Sequence, residues 1–441
     1  MKPMIALALA LAAAASTASA GDPYKGMTID GRLNCPYISY NGGKVYLQIT
    51  VTAPGIESPH RRPVNLSVVL DRSGSMADEG KIEYAKKALY ALIDQLRDED
   101  LFSIVIYDNV IQVLRPAQRV CDKRELKRLV EQVYPRGTTN LGGGMTEGLR
   151  EVERNLGKEY VNRVVLLSDG LANQGITDPG ELQRIARRYR ARSISLTTMG
   201  VGLDYNENLM VGLAESGGGN YYFIESPRSL ASIFRKEFDL LSCVAAQNAS
   251  VEMTLGRGVR MLDVIGYEYR REGDRYVVPL GDLSSNDRRE LTVELEVPEG
   301  TGSLTVARGV LHFDGRLGWF ERWPSFAATA RYTKDLVEID KNRDLEAQAR
   351  ADVAVSTRSV EHAMKAMDEG RYDEAATEMK GAEMFISASP AVASTGAGGA
   401  VLQEQKLRLQ SYQKILRDSS DARKAKKSIQ YDNYQTQKQR Q

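Results

Sequence analysis

Residues 68–75 read Val-Val-Leu-Asp-Arg-Ser-Gly-Ser. The apolar run 68–70 leaves no polar face, which predicts the end of a strand buried in a parallel sheet. Asp71, Ser73 and Ser75 follow at every second position, and in an extended turn this spacing places one carboxylate and two hydroxyls on the same side. These oxygens suit a hard divalent cation, Mg²⁺ first, with Ca²⁺ or Mn²⁺ as alternatives. Taken alone, the stretch is equally typical of an ordinary Asx or Ser turn.

Two further stretches also place oxygen-bearing side chains after a strand or in a loop. Residues 164–170 read Val-Val-Leu-Leu-Ser-Asp-Gly, a second apolar strand that ends in a carboxylate, and residues 137–140 read Gly-Thr-Thr-Asn, a hydroxyl-rich loop that opens a helix. In this order the trio resembles the von Willebrand factor A (VWA) domain and its metal-ion-dependent adhesion site. The resemblance implies five metal ligands, bound directly or through water: Asp71, Ser73, Ser75, Thr139 and Asp169. Thr138 stands where the family commonly has Gly, and Thr139 is the predicted ligand of the two.

The sequence around these motifs alternates strands and amphipathic helices over residues 62–244. This alternation predicts an α/β fold, a doubly wound and mainly parallel sheet that is Rossmann-like, with helices on both faces. In such a sheet, ligands bind beyond the carboxyl ends of the strands. Asp71 and Asp169 both occupy that end.

The flanking segments have a different pattern. Apolar and polar residues alternate in 45–52 and again in 251–255 and 291–297, as in half-buried strands. Because a lone early strand pair is not stable by itself, we expect residues 21–61 and 245–330 to form one β-sandwich in which the VWA domain, 62–244, is inserted. The sequence of residues 331–420 predicts a helical hairpin region. The basic tail 421–441 predicts a solvated, frayed segment, with an anionic surface contact as the alternative.

The first twenty residues read as a secretory signal peptide. Lys2 precedes an apolar run, and Ala-Ser-Ala at 18–20 is a cleavage site that would leave Gly21 as the mature N-terminus. No other stretch is apolar for about 18 residues, so no transmembrane segment is expected in the mature chain. Loss of Lys2 takes the formal net charge from +1 to zero, which favours neither nucleic acid nor a membrane surface as partner.

The chain has three cysteines, Cys35, Cys121 and Cys243, which is an odd number for an exported protein. Cys35 and Cys243 flank the central domain, and a disulfide between them and buried free thiols both remain open. No Cys-x-x-Cys spacing is present, so neither a redox motif nor a zinc site is indicated.

The whole layout resembles the bacterial secreted VWA proteins sometimes labelled as calcium-activated chloride channel relatives. The resemblance implies a non-enzymatic, exported adhesion module, periplasmic or at the cell surface, whose metal bridges to an Asp or Glu of a protein partner. A Mg²⁺-dependent phosphatase-like hydrolase is the enzymatic alternative, but it needs a second Asp two residues after Asp71, where this chain has Ser73. A structural scaffold with a vestigial metal site is the other alternative.

Overall fold

The computed structural model describes residues 26–55, 61–157, 159–314, 323–418 and 421–438. The predicted signal peptide, residues 1–20, lies outside the described residues. Among these described residues, three strands precede the central sheet, and they are β1 (Thr28–Leu33), β2 (Tyr37–Ser39) and β3 (Gly43–Thr52).

The central sheet has six strands in the order β6-β5-β4-β7-β8-β9. They are β4 (Val64–Asp71), β5 (Leu101–Tyr107), β6 (Ile111–Arg119), β7 (Val161–Ser168), β8 (Ser195–Val201) and β9 (Gly218–Ile224). Neighbours from β5 to β9 are parallel, and β6 lies antiparallel to β5 at one edge. Every residue of β4, β5, β7 and β8 is buried, as expected when helices cover both faces. The predicted α/β fold with a doubly wound, mainly parallel sheet is confirmed.

Six helices cover this sheet. They are α1 (Lys81–Gln95), α2 (Lys123–Glu131), α3 (Leu141–Glu153), α4 (Pro179–Arg190), α5 (Glu207–Gly217) and α6 (Leu230–Ser242). Because side chains alternate along a strand, Val68 and Leu70 of β4 face the core formed with α1, α2 and α6. Val69 faces the core formed with α3, α4 and α5. The polar end of β4 therefore lies between two packed layers, which hold its position.

In the part of the chain that the structure describes, seven strands follow the central domain. They are β10 (Val244–Leu255), β11 (Arg260–Ile265), β12 (Arg270–Glu272), β13 (Arg275–Ser284), β14 (Arg288–Val297), β15 (Ser303–Asp314) and β16 (Ser325–Thr333). With the first three strands they form two sheets, β1-β3-β14-β11 and β12-β13-β10-β15-β16-β2. β3 pairs with β14 so that Leu47 lies opposite Val293, and one apolar core contains residues of both sheets. The chain thus leaves this sandwich after β3 and re-enters it at β10.

Helices make up the rest of the described chain. They are α7 (Leu336–Lys341), α8 (Leu345–Asp368), α9 (Tyr372–Ser387), α10 (Ala397–Asp418) and α11 (Ala422–Lys438). A fourth apolar core joins α8 to α11. In the described residues, no helix is both long enough and apolar enough to cross a membrane.

The prediction of a solvated, frayed tail is wrong for residues 422–438. This segment is helix α11, and the side chains of Lys427 and Lys438 are 3% and 7% exposed. Lys427 is paired with Glu207, and Lys438 lies 2.8 Å from Glu215. Because these acids belong to the central domain, the basic residues are compensated by partners more than 200 positions away, which a local charge pattern does not reveal.

The three cysteines are free. Cys35 is buried and its thiol donates to the carbonyl oxygen of Ile339 at 3.2 Å, whereas Cys121 is exposed and Cys243 partly buried. Of the two possibilities left open for Cys35 and Cys243, the structure has free thiols and no disulfide.

Candidate metal centre

Asp71 is the last residue of β4, and its carboxylate is fully buried. The Ser73 backbone N–H donates to Oδ1 at 2.8 Å. Oδ2 accepts from the hydroxyls of Ser168 at 2.8 Å and Tyr107 at 3.2 Å. The carboxylate is therefore held from three directions, and its orientation is set by the ends of β4, β5 and β7.

Burial raises the pKa of Asp71 to about 6, and the neighbouring carboxylate of Asp169 adds to the increase, although hydrogen bonds from Ser73 and Ser168 oppose it. Burial also raises the pKa of the Tyr107 hydroxyl well above its usual value. The raised pKa of Asp71 means that its negative charge is poorly compensated by the protein alone. A cation beside it would supply the missing compensation.

Ser73 and Ser75 connect Asp71 to the second motif. Their hydroxyl oxygens lie 3.2 Å apart, and the Ser75 hydroxyl donates to Oδ1 of Asp169 at 2.8 Å. Asp169 directly follows β7 and is fully buried. The structure thus brings together side chains that are 94 positions apart in the sequence.

Thr139 reaches the same place from the loop before α3. The N–H of Gly74 donates to the carbonyl oxygen of Gly137 at 3.1 Å, which ties this loop to the first motif, and Gly137 has the positive φ of +71° that favours glycine. A Cβ atom added to Gly170 would lie 3.2 Å from Thr139 Oγ1 and 3.7 Å from Ser75 Oγ. Thr139 therefore meets the other motifs at Gly170.

The neighbouring Thr138 is exposed, whereas Thr139 is buried. The N–H of Thr139 donates to the side chain of Asn173 at 2.9 Å, and the N–H of Asn173 returns a bond to the Thr139 carbonyl at 3.2 Å. This reciprocal pair anchors Thr139 to the loop after Asp169. Of the two threonines only Thr139 is buried, and its role as a metal ligand stays a prediction.

The donor set fits a hard divalent cation. It consists of two carboxylates and three hydroxyls, and it is free of nitrogen and sulfur, as Mg²⁺ prefers. Within the part of the chain that the structure describes, no group of three His, Cys, Asp or Glu side chains is placed to hold a metal. The arrangement at the end of β4 and β7 offers hydroxyl oxygens beside its two carboxylates.

One charged residue of the site was not predicted. Lys81, the first residue of α1, is buried, and its Nζ lies 2.9 Å from Oδ2 of Asp169. Its position next to Gly80 marks it only as a residue at a helix start. The contact spans 88 positions, so the local sequence carries no signal for it.

Comparison with known proteins finds a family model that matches the central domain. Residues 65–236 match the model of the von Willebrand factor type A domain. The central domain is therefore similar to von Willebrand factor type A domains. Neither export nor the chloride channel label is part of this match, and both stay predictions.

Two bacterial relatives extend beyond this domain. Escherichia coli (strain K12) YfbK is 26% identical over 275 residues, which are 61% of this chain and 48% of YfbK. Synechocystis sp. sll0103 is 28% identical over 261 residues, which are 56% of this chain and 61% of sll0103. The chain thus aligns with about half to three fifths of the length of these relatives.

Among solved structures, the von Willebrand factor type A protein from Catenulispora acidiphila is similar over nearly the whole chain. The TM-score is 0.71, and the similarity covers 94% of this chain and 97% of that one at 16% sequence identity. At this identity the likeness shows the fold alone. It includes the flanking segments as well as the VWA domain.

Proposed function

We propose that this chain is an exported, non-enzymatic protein-binding module whose VWA domain, residues 62–244, holds a divalent cation. Mg²⁺ is the proposed ion, with Mn²⁺ or Ca²⁺ as substitutes. The proposed ligands, direct or through water, are Asp71, Ser73, Ser75, Thr139 and Asp169. When bound, the cation supplies a Lewis-acidic position that an Asp or Glu carboxylate of a partner protein can occupy.

The observation that carries this proposal is the bond between Ser75 and Asp169. The Ser75 hydroxyl donates to Oδ1 of Asp169 at 2.8 Å, so the motifs at residues 68–75 and 164–170 converge in the fold. Little rearrangement is then needed to surround a cation with oxygens, and preorganisation of this kind favours binding.

The surroundings of the site support access by a partner. Gly74, Thr138 and Leu171 are exposed, and Ser75 is partly buried. Gly74 lies between the proposed ligands Ser73 and Ser75, Thr138 directly precedes Thr139, and Leu171 is two residues after Asp169. A carboxylate on a partner surface can therefore approach the hydroxyl side of the site, while the buried side is closed by Tyr107 and Ser168.

The geometry argues against the phosphatase-like alternative. An aspartyl nucleophile needs an oxygen that a substrate can reach. The Asp71 carboxylate is fully buried, and both of its oxygens already accept hydrogen bonds. Ser73, at the position where such an enzyme has its acid, cannot transfer a proton as a carboxyl group does.

Binding of Mn²⁺ tests the proposal, because free Mn²⁺ can be measured by electron paramagnetic resonance and competed with Mg²⁺. We expect saturable binding to one site in the purified protein and loss of that binding in the Asp71→Asn/Asp169→Asn variant. Addition of acetate, a minimal carboxylate, is expected to displace water from the bound ion and to lower its effect on water proton relaxation.

Asp98→Asn is the matched control, since Asp98 is an exposed carboxylate of the same domain. It should bind Mn²⁺ like the unmodified protein. Equal binding by the Asp71→Asn/Asp169→Asn variant would contradict the proposed ligand set. Unchanged water relaxation at saturating acetate would contradict the carboxylate bridge.

Export is the part of the proposal that rests on residues 1–20. If it holds, protein recovered from the periplasm or medium of a bacterial host should begin at Gly21, as read by mass spectrometry of its N-terminal peptide. Recovery of the whole chain in the cytoplasmic fraction, with residues 1–20 still attached, would contradict it.

A further inference from the structure

Lys81 introduces a positive charge beside the proposed metal ligands that the function described so far does not use. Its side chain is 5% exposed, and its Nζ lies 2.9 Å from Asp169 Oδ2. Gly202, whose φ is +74°, leaves room for it, since a Cβ there would lie 3.3 Å from Lys81 Cε. The ammonium group is thus enclosed by the fold.

The location of Lys81 is unfavourable for the helix that it opens. Lys81 is the first residue of α1, and the positive end of a helix dipole at this point favours anions over cations. A buried ammonium also loses its hydration. The pairing with Asp169 offsets both costs, so the contact with this carboxylate is the feature that the arrangement serves.

The two oxygens of Asp169 have different partners. Oδ1 accepts from the Ser75 hydroxyl at 2.8 Å, on the side of the other proposed ligands, whereas Oδ2 faces Lys81. Oδ1 is therefore directed to the metal centre, while Oδ2 is paired with the Lys81 ammonium on the opposite side. Lys81 is thus placed to influence a bound cation through Asp169.

The net charge of Asp71, Asp169 and Lys81 determines how well the site balances a divalent cation. Two carboxylates alone would balance a divalent cation, but with the Lys81 ammonium the three groups carry a net charge of −1. A divalent ion would then leave the loaded site with a net charge of +1. At this degree of burial such a charge is poorly screened.

We propose that Lys81 is a positioning residue that withholds one unit of negative charge, so that a carboxylate from the partner completes the charge balance of the metal centre. This inference rests on the proposed function and adds a regulatory property to it. The protein binds the cation weakly alone and more tightly together with an anionic ligand, and each raises the affinity for the other.

Measurement of Mn²⁺ affinity with and without acetate tests this coupling, with chloride replacing acetate at equal ionic strength. In the unmodified protein, acetate should raise the Mn²⁺ affinity several-fold. In Lys81→Gln, affinity without acetate should rise by about tenfold or more because the repulsion between ammonium and cation is gone, and the gain from acetate should shrink. Lys81→Arg, which keeps the charge, should resemble the unmodified protein.

Lys86→Gln is the matched control. Lys86 is also a buried lysine of α1, at 5% exposure, but it pairs with Glu83 and the Glu131 carbonyl. Its replacement should leave the Mn²⁺ affinity unchanged. Circular dichroism checks that each variant is folded.

The outcomes separate this inference from the function on which it rests. If Mn²⁺ binds to the unmodified protein but Lys81→Gln has the same or lower affinity, the role of Lys81 is refuted. If Lys81→Gln does not fold, the unmodified protein still decides, because the absence of any acetate effect on its Mn²⁺ affinity refutes the coupling. If the unmodified protein binds no Mn²⁺ with or without acetate, the proposed function itself fails.

Discussion

Arg163 and Asp282 form a buried ion pair that joins the central sheet to the β-sandwich, with 2.8 Å between Nη2 and Oδ2. Arg163 belongs to β7 and Asp282 to β13. The same guanidinium donates to Thr197 Oγ1 at 3.1 Å and lies 3.5 Å from Glu237 of α6. The Arg163 guanidinium therefore connects the central sheet, helix α6 and the β-sandwich.

Removal of the Arg163 guanidinium should destabilise the whole chain. Arg163→Met would leave Asp282 and Glu237, which are 7% and 2% exposed, without their buried counter-charge. We expect the free energy of unfolding to fall by about 3 kcal/mol, measured by urea denaturation. Arg150→Met removes an arginine that is 59% exposed and should cost less than about 0.5 kcal/mol. Equal losses in both variants would show that the Arg163 pair contributes no more than a surface contact.

The contact of α11 with the central domain should depend on Lys427. Its Nζ lies 2.7 Å from the carbonyl oxygen of Tyr205 and 3.9 Å from the centroid of the Tyr205 ring. It also pairs with Glu207. Lys427→Met should lower the free energy of unfolding by about 2 kcal/mol and increase amide exchange in residues 422–438. Lys424, which is 50% exposed, serves as the control, and Lys424→Met should change neither quantity. Unchanged exchange in Lys427→Met would mean that other contacts hold α11.

The ionisation of Glu207 determines how the contact between α11 and the central domain responds to pH. Burial alone would raise its pKa, but Lys426 and Lys427 outweigh burial and hold the pKa below the usual 4.5. The folded state therefore binds the proton less readily than the unfolded state. The stability due to Glu207 is fully present above pH 4.5 and is lost as the pH falls through the lower, folded-state pKa.

The comparison of the unmodified protein with Glu207→Gln measures this effect. At neutral pH the unmodified protein should be more stable in urea, and the difference should shrink as the pH falls below 4.5. Glu404→Gln, an exchange of a carboxylate that is 69% exposed, controls for general effects of charge removal. A difference that stays constant with pH would contradict the assignment of the pairing to ionised Glu207.

Two helical glycines should respond to alanine in opposite directions. In α3, a Cβ on Gly148 would overlap the Cγ2 methyl of Val69 in β4, whereas a Cβ on Gly381 in α9 meets no atom within 4 Å among the described residues. Gly148→Ala is expected to cost about 1–3 kcal/mol through overpacking, and Gly381→Ala to stabilise by about 1 kcal/mol through helix propensity. Thermal unfolding measures both, and stabilisation by Gly148→Ala would show that α3 is not seated tightly on β4.

The sequence predicts the centre of the fold well because the information there is local. Strands β4 and β7 are buried on both faces, so the runs 68–70 and 164–167 near their carboxyl ends are apolar. The polar residues that follow these runs mark the edge where ligands bind. Strand β6 lies at the sheet edge, and its residues are half-buried or exposed. Leu114 and Arg115 interrupt its alternation of apolar and polar residues, and the sequence pattern predicts no strand there.

The unpredicted features share a different cause. Lys81 contacts Asp169 across 88 positions, and Lys427 contacts Glu207 across 220. In both cases a buried lysine is compensated by an acid from another element, and nothing in its neighbourhood distinguishes it from a solvated one. For this reason the local sequence predicts a frayed tail where the structure has helix α11. Burial of a charge depends on the tertiary partner, which only the folded arrangement supplies.

Calorimetric titration of Mg²⁺ in acetate, comparing the unmodified protein with Asp71→Asn, tests the central claim most directly. Asparagine keeps the shape of Asp71 and can still accept the Ser73 N–H, so the fold should be retained while the charge is lost. We expect saturable binding of one Mg²⁺ per chain to the unmodified protein and at least about a hundredfold weaker binding to the variant. Equal Mg²⁺ binding by both proteins, or none by the unmodified protein, would contradict a metal centre at Asp71.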